Sequence, residues 1–292
     1  NKKPGKGKSK RRVKPEIPRP PSPTASSPKI FGVGLSKTGT SSLAEGLERM
    51  GLRTIHNDMD RMRGILAAIG ARYQAYRNHS SAVVQDMLEH FDFSGVYDSV
   101  DAVVDAPVYL VWRQLARAYP NSKFVVTVRD KEQWYQSTSS FFSYFFQKLC
   151  GGVIPKDIAA LHTLTYGSAL PQKETWLSAF DNHLAALKAT IPEERLLVID
   201  LENDAVNAMQ RVCEFVRSDV SNNNNNNKLC ATFVMRQFPH VNVGLTSLKK
   251  SVAHRGTCFH SQHIRSPFAT PLRAYVTVLS NLDGGSRSGD SG

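Results

Sequence analysis

The stretch "IFGVGLSKTGTSSLAEGL", Ile30 to Leu47, sets a lysine inside a turn made almost entirely of glycine, serine and threonine. Ser36, Lys37, Thr38, Gly39, Thr40, Ser41 and Ser42 are the residue types that bind an oxyanion. Glycine lets the backbone approach closely, hydroxyls donate hydrogen bonds, and lysine supplies a point charge. An apolar run before them and an amphipathic run after them make a strand–loop–helix unit, which aims backbone N–H groups and the positive end of a helix dipole at an anion. A plain capped helix start would need only the Ser and Thr residues; a lysine two positions before the glycine adds nothing to capping. The nucleotide loop G-x-x-x-x-G-K-[ST] is not met, because Lys37 precedes Gly39 and no GK[ST] follows. The dinucleotide pattern G-x-G-x-x-G fails as well, since Gly32 and Gly34 are followed by Lys37 where a glycine is required.

The elements that must position this loop follow from the hydrophobic pattern. Ile30–Leu35 reads as a buried strand and Ser41–Met50 as a helix with Leu43 and Leu47 on one face. "LRTI" is a second strand, followed by polar and helical stretches from Met59 to about His90. Ala102–Asp105 reads as a strand end, Pro107–Tyr119 as a helix, Lys123–Val128 as a strand and Lys131–Leu149 as a long helix. Helices over Lys156–Thr165 and Gln172–Thr190, a strand over Arg195–Ile199 and a helix over Asp204–Val216 complete the regular part. Strands alternating with helices give an α/β fold, a mostly parallel sheet with helices on both faces, of the P-loop-containing nucleotide-binding type.

Composition bounds the rest. A hydrophobic content of 41% over 292 residues supports a substantial core. The net charge of +12 invites a nucleic-acid partner, but residues 1–30 hold seven Lys and three Arg against one Glu. That leaves only +3 for the remainder, so no nucleic acid is expected as partner. Residues 1–28 read as a basic, Pro-rich disordered tail, 29–242 as the α/β domain with an Asn-rich insertion near 221–228, and 243–292 as an irregular C-terminal segment. Cys150, Cys213, Cys230 and Cys258 are widely spaced and imply no disulfide framework. No run is apolar enough to span a membrane. The chain begins with Asn, so the compartment stays open: a cytoplasmic site is favoured, and the Golgi lumen fits if an upstream anchor was removed.

The order K-x-G-T-x-x-L at Lys37 resembles the 5′-phosphosulfate loop of sulfotransferases that use 3′-phosphoadenosine 5′-phosphosulfate (PAPS). "YPNSKFVVTVRDKEQWYQS" resembles the 3′-phosphate motif of the same family, with Arg129 at a strand end and Ser137 eight positions on. The carboxyl end of a strand is where open α/β sheets bind ligands, and a guanidinium with a hydroxyl suits a phosphate. The competing account is a surface Arg–Asp pair at a helix start. "VDAVVDAPVYLVWRQLARAYP", "HLAALKATIPEERLLVIDL" and "FPHVN" (Phe238–Asn242) are similar to further segments of the single-domain, sulfotransferase-like branch. The likeness covers roughly residues 30–216, and the Asn tract interrupts what that branch keeps compact.

The resemblance implies PAPS as donor, PAP (adenosine 3′,5′-bisphosphate) as product, and a small-molecule, glycan or peptide acceptor carrying a hydroxyl or amine. Lys37 would stabilise charge on the leaving phosphate, and no metal is required. Two residues compete as the base. His56 follows the second strand and titrates in a useful range, and related enzymes place a Glu or His there; packing against the neighbouring helix is its alternative role. Asp105 in "DAPV" is the other, and it would equally cap a helix with Pro107 in the first turn. His254, Cys258, His260 and His263 offer a weak zinc alternative in the tail. Two further functions stay open: a phosphotransferase with a variant loop, and a silent PAP-binding homologue.

Overall fold

A computed structural model describes residues 28–65, 86–204, 206–218 and 230. Five strands form one parallel sheet: β1 (Ile30–Gly32), β2 (Thr54–His56), β3 (Ala102–Val104), β4 (Lys123–Val128) and β5 (Leu196–Asp200), in the order β2-β3-β1-β4-β5. The helices are α1 (Thr40–Arg49), α2 (Trp112–Ala118), α3 (Lys131–Leu149), α4 (Lys156–Tyr166), α5 (Lys173–Thr190) and α6 (Ala208–Arg217). Further helical residues occur at 59–65 and 86–89.

The sheet is covered on both faces, which is why β1 is apolar throughout rather than alternating with polar residues. Side chains still alternate in direction. Ile30, Ala102, Val104, Val125 and Ile199 pack with Leu43 and Leu47 of α1 and with Met209 and Val212 of α6. Phe31, Val103, Phe124 and Val126 turn the other way into a larger core with Trp112, Trp134, Trp176 and Phe180. Each fully buried side chain of this size contributes about 1.5–3 kcal/mol, so the strand bearing the phosphate-type loop is clamped from both sides. No helix among the described residues is long and apolar enough to cross a membrane.

Three expectations need correction. The helix expected over 107–119 is confined to Trp112–Ala118; before it the chain runs in turns, with the Val108 amide donating to the Asp105 carbonyl and Leu110 to Pro107. The last helix starts at Ala208 rather than Asp204, because the Asp204 carboxylate is engaged by the Asp200 amide and the Arg211 guanidinium. The cysteines are paired: Cys213 and Cys230 form a disulfide with Cα atoms 5.6 Å apart, Cys150 is also disulfide-bonded, and no described cysteine is free. Cys213 lies on the inner face of α6, one turn from Met209, and Cys230 is buried against the same core. The N-terminal tail, the Asn tract, "FPHVN" and the C-terminal histidines with Cys258 lie outside the described residues.

Candidate active site

In this strand order the chain passes from β1 to β2 on one side and from β4 to β5 on the other, so the carboxyl ends of β1 and β4 form the topological switch point, the position at which open α/β sheets place their ligand crevice. The loop 33–39 leaves β1 there, and Arg129 leaves β4. Gly34 lies so close to β4 that a Cβ would sit 2.3 Å from Thr127 Oγ1 and 2.9 Å from the Thr127 carbonyl. Thr38 completes this seam: its hydroxyl donates to the Leu35 carbonyl at 2.7 Å and lies 2.9 Å from Thr127 Oγ1. The side chain expected on the ligand side is therefore turned into the protein, and it is fully buried. Thr127, the partner that causes this, had no signal in sequence beyond its place in a strand.

Lys37 and Gly39 both adopt the left-handed region, with φ of 73° and 94°. Gly39 does so without strain, whereas Lys37 must be held there by the surrounding fold. Gly39 caps α1, and its carbonyl accepts from Ser42 and Leu43. The amides of Thr40 and Ser41 belong to the first helical turn, at the positive end of the helix dipole. Lys37 Nζ lies 4.4 Å from the centre of the Phe141 ring on α3. Burial lowers its pKa, Arg129 adds to the effect and Asp105 opposes it. The two cations predicted to share one ligand thus follow the carboxyl ends of two paired strands, near enough for their charges to interact.

Asp105 follows β3 with φ of 75°, and its amide donates to the Gly32 carbonyl at 3.1 Å. Its carboxylate is a hub rather than a helix cap. Oδ1 accepts from Ser36 Oγ at 2.7 Å and from the Ala106 amide at 2.9 Å. Oδ2 accepts from Thr40 Oγ1 at 2.6 Å and lies 3.3 Å from His56 Nε2. Burial would raise its pKa, but His56 and the two hydroxyls hold it below the usual carboxylate range. A carboxylate offers about four acceptor positions, and here all are used. His56 ends β2, one strand away, with 33% of its side chain exposed, and meets Thr40 Oγ1 and Ser41 Oγ through the same Nε2. The two rival bases are therefore members of one unit.

Arg129 is half-buried and bonds Gln133 Oε1 at 3.2 Å, while Asp130 caps α3 by accepting from the Gln133 amide. The Arg–Asp pair at a helix start is present, but only the aspartate serves the helix. Ser137 is half-buried two turns along α3 and Ser42 is buried in α1.

A family model described as the sulfotransferase domain matches residues 29–246. The chain belongs to the sulfotransferase family. Among curated relatives, this sulfotransferase-family chain is similar to "Ava biosynthesis cluster protein M" of Aspergillus versicolor, 24% identical over 252 residues, 78% of this chain and 85% of that one. A sulfotransferase structure from Alicyclobacillus acidocaldarius aligns with 15% identity and a TM-score of 0.38, covering 65% of this chain and 81% of that one. A mouse sulfotransferase, SULT7A1, solved with PAP, aligns with 14% identity and a TM-score of 0.34 over 72% of this chain and 64% of that one.

Proposed function

We propose that this sulfotransferase-family chain moves a sulfuryl group from PAPS to a hydroxyl or amine, with the donor in the β1–β4 crevice. The observation that carries this is that Lys37 and Arg129 stand just beyond the carboxyl ends of the paired central strands β1 and β4, with Arg129 felt by the Lys37 ammonium. The crevice suits such a donor: Gly34 leaves no Cβ in the seam, the first turn of α1 presents amides, and the loop carries no acidic side chain.

The roles follow from position. Lys37 and the Thr40 and Ser41 amides bind the 5′ end, Arg129 and Ser137 the 3′-phosphate. His56 accepts the proton of the acceptor O–H or N–H as the new bond to sulfur forms. The bond from sulfur to the bridging oxygen breaks, and its electron pair leaves on the 5′-phosphate, where Lys37 meets the charge. Preorganised stabilisation of this kind supplies roughly 10²–10³ in rate. Asp105 is too enclosed to meet an acceptor, so it acts by orienting His56: with Nε2 facing the carboxylate, Nδ1 is left to take the proton. Thr40 and Ser36 brace Asp105 instead of touching ligand through their hydroxyls.

A thermal-shift comparison of PAP, ATP and NADP, each with and without Mg²⁺, tests the donor site. PAP at about 100-fold excess over its dissociation constant should add about 2.7 kcal/mol of apparent stability without Mg²⁺. Stabilisation by ATP with Mg²⁺ and not by PAP would favour a phosphotransferase. PAP binding without transfer of labelled sulfate to any of a panel of phenol, glycan and peptide acceptors would mark a silent homologue.

A further inference from the structure

Three carbonyls of the loop are each tied down by a side chain. The Val33 carbonyl accepts from His183 Nε2 at 2.8 Å, Leu35 from the Thr38 hydroxyl at 2.7 Å, and Ser36 from Trp134 Nε1 at 2.9 Å. The donors come from α5, the loop itself and α3, and His183 lies 150 residues from Val33. A peptide unit carries its N–H and C=O on opposite sides. A loop that turns N–H groups toward an anion must turn carbonyls away, and a carbonyl that swung inward would repel the anion's oxygens.

The Val33–Gly34 peptide is the first of the loop. Val33 is held through its amide, which donates to the Val125 carbonyl at 2.8 Å, but the next residue is glycine, whose backbone tolerates conformations closed to other residues. His183 is the group that fixes the carbonyl side of that unit. We propose that His183 is a positioning residue of the sulfuryl-donor site, which holds the Val33 carbonyl and so keeps it from turning toward the anion. This rests on the donor reading above. Trp134 does the same for Ser36, but it is also a fully buried core residue, so its removal would not separate the two roles.

The chemistry of the contact fixes the histidine's state. A carbonyl cannot donate, so the proton sits on Nε2. Burial, helped by Arg113, pushes the imidazole down to about 4 despite the Val33 carbonyl, which favours its charged form. The ring is neutral at physiological pH and adds no charge to the site; its contribution is directional.

The test compares PAP titrations by calorimetry of the wild type, His183→Phe, which keeps a ring without a donor, and His183→Gln, whose amide reaches the same place. Ligand-free thermal unfolding is measured alongside. The expected result is a roughly tenfold weaker PAP affinity for His183→Phe, restored to within about threefold by His183→Gln. The donor KM should rise in parallel. Imidazole ¹⁵N spectra of the wild type should show an Nε2–H tautomer that does not titrate between pH 5 and 8 and whose Nε2 signal shifts when PAP binds. A folded His183→Phe that binds PAP like wild type, even with a lowered unfolding midpoint, overturns the proposal. So does an Nε2 signal indifferent to bound PAP, a readout that survives if the variant fails to fold. Absence of PAP binding by the wild type removes the donor reading and this proposal together.

Discussion

His56 Nε2 and Asp105 Oδ2 stand 3.3 Å apart across the carboxyl ends of two paired strands, β2 and β3. The proposed function makes one of them the base and the other its orienting partner. Asp105→Asn should lower kcat by about 10²–10⁴, the range of a lost general base, while changing PAP affinity less than tenfold. His56→Ala should behave alike, and the double variant should be little worse than either. Steady-state kinetics with a fixed acceptor check this.

Asp105 also links stability to pH. Its folded pKa lies below the ordinary value of 3.8, so its ionised form stabilises the fold at neutral pH. That contribution is present above the unfolded value and is lost as pH falls through it toward the lower folded value. Urea unfolding of the wild type should therefore weaken more steeply below about pH 4 than that of Asp105→Asn.

Lys37 has the opposite exposure to pH. Its pKa is lowered by burial, with Arg129 contributing, so the ammonium is lost before the usual 10.5. Donor affinity should fall on an alkaline limb that begins below that value. Lys37→Ala should remove the limb and cost about 1.5–3 kcal/mol, on the order of 10- to 100-fold in PAP affinity. Arg129→Ala should cost a similar amount at the other phosphate and, by removing a neighbouring positive charge from Lys37, should move the alkaline limb to higher pH.

Two glycines separate rigid from yielding surroundings. Gly34→Ala would drive a Cβ to 2.3 Å from Thr127 Oγ1 and 2.9 Å from a backbone carbonyl that cannot retreat. It should abolish PAP binding. Gly46→Ala meets only the far end of Met209, at 2.1 Å. That side chain can turn aside, and the gain in helix propensity of about 1 kcal/mol offsets the crowding, so the unfolding midpoint should shift little. Differential scanning calorimetry of the two proteins gives the comparison.

The Cys213–Cys230 bond closes a separation of 17 residues. A loop of that size is worth about 3 kcal/mol. Cys213→Ser and Cys230→Ser should each lose that much in denaturant titrations. A reductant should destabilise the wild type by at least as much, because Cys150 is bonded too.

Much of the fold is legible in local pattern. Lys123–Val128 and Lys131–Leu149 form the strand and helix that their apolar spacing and the Asp130 cap predict. The sulfotransferase assignment likewise follows from motifs whose order along the chain is itself the signal. What local pattern hides is the third dimension. Thr38 and Thr40 look equivalent in sequence, yet Thr127 draws one into the sheet seam and Asp105 engages the other. "DAPV" carries every mark of a helix start, but hydroxyls 65 and 69 positions away claim its carboxylate. His183 offers nothing to a sequence reader, because its meaning lies in one carbonyl of a loop 150 residues away.

The central place of β1 has a consequence for how the molecule is made. Ile30 is made before both of its neighbours, Ala102 and Lys123, which are synthesised about 70 and 90 residues later. A nascent chain halted before Lys123 would carry the loop 33–39 with no β4 beside it. Closing such long spans is slow relative to local helix formation, so the seam between Gly34 and Thr127 forms late.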